Sequence, residues 1–187
     1  ERPSQIQLYF LALNKYILAA EIAEQSKQHY VIHQAAKAFY NANTNLIDQP
    51  QSRENLVSLY MRVHRIFVQN RVAVLYSDPD FLLLFYSLFC QCIIEVKDWE
   101  MGEHVIAEAL KMLHTSKHHF LLEFKLYFYS KLGKSFMQYL NSVDDKDPMS
   151  KAKLYIKLAR ISESYSEQFS AYNKAIEILK GDNNVMA

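Results

Sequence analysis

Histidines at helical spacing are the first residues in this sequence that could do chemistry. His29 and His33 stand four residues apart, as do His114 and His118, so each pair would share one helix face in the manner of metal-binding pairs. A complete site needs three or four convergent ligands, and the nearest additions are His104 and His119, with no cysteine close by. The two-histidine pattern of zinc proteases is absent, so both pairs read as structural or solvent-facing. Cys90 and Cys92 are the only cysteines, and on a helix they would project roughly 200° apart. They cannot clamp one metal, and they read as small residues that let helices approach. No metal or other cofactor is expected.

Phosphate chemistry and catalysis fare no better. Leu132-Gly133-Lys134-Ser135 matches only the last residues of a phosphate-binding loop; the loop's first glycine is missing and no strand precedes it. Nucleophilic catalysis needs a serine elbow or a cysteine with a histidine in a recognisable setting, and neither is present. The sequence therefore predicts a protein that is not an enzyme.

Two clusters could bind a partner instead. Arg62, Arg65 and Arg71, with Tyr60 and Tyr76 nearby, form the densest mixture of arginine and tyrosine, the residue types that anchor protein interfaces. Lys153, Lys157 and Arg160 fall at i, i+4 and i+7, one basic stripe along a helix that could meet an acidic surface or nucleic acid. Charge is nearly balanced, with 21 basic against 20 acidic residues, so no field marks a dedicated nucleic-acid binder and nucleic acid is not the expected partner. The 13 Tyr and 11 Phe sit at helical spacing and read mainly as core.

The elements that would position these residues are helices. With 3 Gly and 4 Pro in 187 residues there is little material for tight turns, and the chain is expected to be all-α. Asp78-Pro79 and Asp147-Pro148 place a capping carboxylate before a proline, and Ser4 with Gln7 and Ser164 with Glu167 have capping-box spacing. Together with apolar periodicity these signals predict about nine helices, over 4–13, 15–27, 29–47, 52–77, 80–96, 99–115, 117–141, 149–163 and 165–180.

Short connections would make successive helices antiparallel neighbours. Leu154, Leu158, Ile161 and Tyr165 suggest a one-sided apolar stripe, whereas 80–96 and 117–141 are apolar around most of their circumference and should be buried from more than one side. The run from Phe81 to Ile94 is too short for a membrane span, which takes about 20 residues, so no membrane partner is expected. Gly181 should stop the last helix, leaving 181–187 as a polar tail beyond a single array over 1–180.

Large and small residues alternate in one stretch as a packing code. Tyr86, Phe89, Cys90 and Ile93 are followed by Trp99, Gly102, Ile106 and Ala109, the small residues marking close helix approach and the large ones filling the cleft to a neighbouring pair. This resembles the tetratricopeptide repeat, whose period is about 34 residues. Weaker copies start at Lys15-Tyr16, leading to Ala19, Ala20 and Ala23, and at Tyr155, leading to Ala171, Ala175 and Ile178.

The resemblance covers about half the chain and implies antiparallel helical hairpins stacked as an α-solenoid. Degenerate, Tyr- and Phe-rich hairpins of this kind are also similar to segments of the large cilia- and flagella-associated scaffold proteins of the axoneme, and to proteasome-lid and signalosome helical repeats. The function these resemblances imply is non-catalytic protein–protein interaction inside a large assembly. The implied partners are other protein subunits and flanking repeats of the same chain. An intracellular, cytoplasmic or cytoskeletal setting follows, the cilium or flagellum among them. The start at Glu1 rather than Met suggests a segment of something longer, whose end helices would offer Leu8, Phe10 and Leu11, and Ile176 and Ile178, to neighbouring repeats.

Overall fold

Helix starts and stops in the computed structural model follow local side-chain chemistry. The structure describes residues 4–44, 46, 50–70, 78–113, 118–135, 137, 140, 148–162 and 164–183. Among them are eight helices and no strand: α1 (Gln5–Gln25), α2 (His29–Asn43), α3 (Pro50–Asn70), α4 (Pro79–Val96), α5 (Trp99–Met112), α6 (His118–Lys131), α7 (Pro148–Ile161) and α8 (Tyr165–Asn183). The expected all-helical character is therefore present.

Ser4 and Gln7 form the full reciprocal capping box of α1. Asp78 caps α4 by accepting the Phe81 amide at 3.0 Å, and Asp98 caps α5 in the same way through the Met101 amide. At the start of α8 only half of the expected box forms. The Glu167 amide approaches the Ser164 hydroxyl, but the Glu167 carboxylate accepts from Ser162 Oγ instead of closing back on Ser164. Asp147 lies outside the described residues.

Several predicted boundaries move. The helices expected over 4–13 and 15–27 are one, because Asn14 turns its amide onto the Phe10 carbonyl at 2.9 Å within the helix and nothing else there breaks the ladder. The long helix expected over 117–141 ends at Lys131, where Gly133 takes a left-handed φ of 65° and the Lys134 amide closes onto the Tyr129 carbonyl. Gly181 does not stop α8, which continues to Asn183; an isolated glycine is tolerated in a helix where nothing forces it left-handed. Left-handed turns elsewhere fall to Lys27 (φ 55°), after α1, and Lys97 (φ 57°), after α4, so the scarcity of glycine did not prevent tight helix ends.

The chain forms two compact units, 1–117 and 118–187. In the first, α1 packs on α2 and α3, α3 on α4 and α5, and α4 on α5. Its centre is a layer of aromatic rings: Tyr60 lies 5.0 Å from Phe39, 5.0 Å from Phe85 and 5.4 Å from Phe89, measured between ring centres. Helix α4 buries Phe81, Leu82, Phe85, Tyr86, Leu88, Phe89, Cys90, Cys92 and Ile93. Cys90 and Cys92 are both fully buried although they project to opposite sides, so this helix is enclosed on opposite sides, as its composition required. By length and composition α1 and α4 could each cross a membrane, but α4 is a core helix here, and the polar side chains of α1 bond to α3.

In the second unit α7 packs on α6 and α8. Its core is Leu121, Leu122, Leu126, Phe128, Leu140, Ala152, Leu154, Tyr155, Leu158, Ala159, Ala171 and Ala175. Helix α6 buries Leu121, Leu122, Leu126 and Phe128, while Phe120 is exposed. The stripe expected through Leu154, Leu158, Ile161 and Tyr165 breaks at the end of α7. Tyr165 opens α8 and is 87% exposed, pointing its ring away from the face that Leu154 and Leu158 bury.

Candidate protein-interaction surfaces

Arg62 and Arg65 lie one turn apart on α3 and both line a cavity of about 500 Å³, together with Met61, His64, Val68, Gln69, His104 and Glu108. Their roles differ. Arg62 donates through Nε and Nη2 to the two oxygens of Glu21, at 3.0 and 2.9 Å, and through Nη1 to Asn14 Oδ1 at 3.0 Å. It is a fork that fastens α1 to α3, not an anchor waiting for a partner. Arg65 is exposed at the cavity rim. Arg71 and Tyr76 lie outside the described residues, and Tyr60 is not at this surface at all: it is fully buried, its hydroxyl donating to Asn43 Oδ1 at 3.0 Å. Burial holds that phenol well above its ordinary pKa, so it stays a donor.

The cavity also gathers groups that the arginine cluster did not reveal. His64 is buried, and its Nδ1 lies 3.0 Å from the Tyr86 hydroxyl, so Tyr86, identified as a packing residue, also carries a hydrogen bond. Desolvation, with the nearby His104 adding to it and Glu108 opposing it, pulls the His64 pKa down to about 4. His64 is therefore neutral at pH 7. Glu108 is held below the usual carboxylate range chiefly by its hydrogen bond to Lys111. His104 and Glu108 are four apart on α5, a spacing visible in the sequence, but their meeting with His64 is a tertiary event.

The remaining packing residues behave as a set. Phe89, Cys90 and Ala109 are fully buried, Gly102 is buried and Trp99 half-buried, with α4 packed on α5. Burial raises both thiols, Cys90 strongly and Cys92 to about 12. His33 is buried against the Phe81 ring, with Nδ1 unpartnered among the described residues, and its pKa is lowered by burial and by Lys37, against the pull of Asp78. No cluster of three or more metal-ligating side chains occurs among the described residues. His114 and the side chain of His119 lie outside them.

In the second unit the basic stripe is only partly free. Lys153 and Arg160 are exposed on α7, but Lys157 is ion-paired with Glu123 of α6. Gly133, Lys134 and Ser135 line a polar cleft of about 510 Å³ with Ser130, Ser162, Ser164, Ser166 and Ser170. Glu167 sits in the same cleft, bonded to Ser162, and its charge opposes a phosphate there.

Two apolar faces complete the surface. On α1, Leu11 and Ile22 are each 56% exposed, with Leu18 between them and Leu8 at the edge. They lie opposite the buried Leu13, Ile17 and Ala20, and the face runs over Val31 into an apolar pocket of about 340 Å³ lined by Ala19, Ile22, Ala23, Ser26, Gln28 and Val31. On α8, Tyr165, Phe169, Tyr172 and Ile176 are all exposed. Of the end residues singled out from sequence, Leu8, Leu11 and Ile176 are exposed, while Phe10 and Ile178 are half-buried. Both faces were legible as intervals of three and four, but those intervals look the same whether a neighbour covers them or not.

Compared with protein-family models the chain matches none, and no curated protein matches it either.

Proposed function

We propose that this chain is a non-catalytic scaffold for protein–protein interaction, its helices running as antiparallel hairpins stacked in tetratricopeptide-like fashion. Its partners are other protein subunits of a large intracellular assembly, the ciliary axoneme being the setting that the repeat resemblance implies. The observation that carries the reading is the double-faced helix α1. Leu13, Ile17, Ala20 and Ala23 are buried on one side, and Leu11, Leu18 and Ile22 stand in water on the other. Apolar patches of this kind on a surface mark contact sites, and this one continues into a concave apolar pocket, the shape that receives an anchor residue. The polar groups lining the α3–α5 cavity are in part already engaged, Arg62 with Glu21 and Glu108 with Lys111, in keeping with a structural rather than a reactive role.

Lys15 is exposed within the same stripe and supplies an amine for cross-linking. In cells that express the protein, amine-reactive cross-linking with mass spectrometry should join Lys15 to other subunits. A variant carrying Leu11→Gln, Leu18→Gln and Ile22→Gln should lose those links while keeping its helical circular dichroism. Partners that stay joined to Lys15 in the triple variant would overturn the reading.

A further inference from the structure

We infer that the cavity lined by α3 and α5 is a binding site for a small carboxylic acid with an apolar body, its carboxylate held by the Arg65 guanidinium and the His64 Nε2–H. The inference goes beyond the scaffold reading and does not depend on it. The cavity measures about 500 Å³, the size of a small-molecule site, and its lining comes entirely from the first unit. Arg65 follows His64 in the chain, and both side chains line it.

His64 is only 4% exposed, yet it keeps one polar atom for the cavity. Its Nδ1 is taken by the Tyr86 hydroxyl at 3.0 Å, whereas Nε2 has no hydrogen-bond partner among the described residues and is not sealed from water. The open edge of the ring is therefore the one that meets the cavity. The Tyr86 hydroxyl has one proton to give, and its other neighbour, Met112 Sδ at 4.0 Å, is a weak acceptor, so the proton goes to Nδ1. Burial keeps the phenol protonated and the imidazole neutral at neutral pH, which places the imidazole's own proton on Nε2. An uncharged donor thus faces the cavity and lacks an acceptor.

Charge selects the acceptor. Of the arginine and glutamate side chains that line the cavity, Arg62 is balanced by Glu21 and Glu108 by Lys111 at 2.6 Å. Arg65 is exposed and has no partner among the described residues. One uncompensated cation calls for one negative charge, and the second charge of a phosphate monoester would stand against Glu108. A carboxylate offers two oxygens, one for the guanidinium fork and one for the single Nε2–H. Met61 and Val68 supply apolar wall for the rest of the molecule, so an acid with a hydrocarbon or aromatic body fits better than a bare anion.

Phenylacetate is a suitable probe, titrated into the full chain with its histidines labelled with nitrogen-15. Nuclear magnetic resonance should show the His64 proton on Nε2, and phenylacetate at up to millimolar concentrations should shift that signal and saturate. Phenylacetamide keeps the ring and loses the charge, acetate keeps the charge and loses the ring, and each should bind at least about tenfold more weakly. Arg65→Gln alters an exposed position, so circular dichroism should stay unchanged while affinity for phenylacetate falls about tenfold. A His64 proton on Nδ1, no saturable shift with phenylacetate, an amide or acetate that binds as tightly as the acid, or undiminished affinity in Arg65→Gln would each overturn the inference.

Discussion

Helices α4 and α8 both carry aromatic side chains at intervals of three and four, yet one buries them and the other leaves them in water. In α4, Phe81, Phe85, Tyr86 and Phe89 meet rings from α2 and α3, and α5 packs on the same helix. In α8 the core contacts come from Ala171 and Ala175, small residues that bring the helix close to α7, while Tyr165, Phe169 and Tyr172 face outward. The difference teaches that apolar periodicity reports a face that wants cover. It does not say whether the cover belongs to the same chain. Helix α4 finds neighbours on opposite sides within its own unit, whereas α8 packs chiefly on α7.

The sharpest way to break this comparison is to delete one ring from each helix. Phe89→Ala removes a fully buried side chain that touches Tyr60, His64 and Phe85, and should cost about 3–5 kcal/mol in denaturant unfolding. Phe169→Ala, measured on monomer, should change stability by less than about 0.5 kcal/mol. Equal costs at the two positions would mean that the outward face of α8 is core after all.

Acid should also separate the two regions. His64 is held down to about 4, below its unfolded value of 6.5, so between those values the unfolded chain binds a proton that the native chain refuses. Stability is therefore full above about pH 6.5 and falls as the pH drops toward 4, by about 3 kcal/mol in all. His33 is shifted in the same direction and adds to the loss. The described helices α7 and α8 contain no histidine. Trp99, the one tryptophan, reports on the first unit, so its fluorescence should show the acid sensitivity, and His64→Gln should flatten it while keeping a partner for Tyr86.

A smaller effect tests the close helix approaches. Ala109 and Ala171 are both fully buried, one where α5 meets α4 and the other in the α7–α8 core. Replacing either by Phe should overpack its contact and lower stability by about 1–3 kcal/mol, read from thermal unfolding. Smallest of all, Lys97→Gly should raise stability by about 0.5 kcal/mol, because glycine takes the left-handed φ that lysine holds at a cost, partly offset by greater freedom in the unfolded chain.

What could be read from the sequence was mostly local. Ser4 with Gln7 and Asp78 before Pro79 announced helix starts because their hydrogen bonds reach only three residues. The break after Lys131 was missed because Phe128, Leu132, Phe136 and Leu140 keep an interval of four across Gly133, and a single glycine carries no sign of its φ. Arg62 and Arg65 were visible as a cluster, but the use of Arg62 depends on Glu21, 41 positions away, and no interval in the sequence encodes that meeting. His64 went unnoticed for the same reason: its partner Tyr86 stands 22 positions later, on a different helix.

The enclosure of α4 on opposite sides turns its two thiols into a clock. Cys90 and Cys92 are fully buried, and burial suppresses their thiolates, so an alkylating reagent finds nothing to attack while the aromatic layer is closed. Labelling must wait for α4 to part from α3 or α5, and because the two sulfurs point opposite ways they need not become available together. Simultaneous modification would mean that the helix leaves its place in one cooperative event, whereas one sulfur reacting ahead of the other would identify the side that opens first.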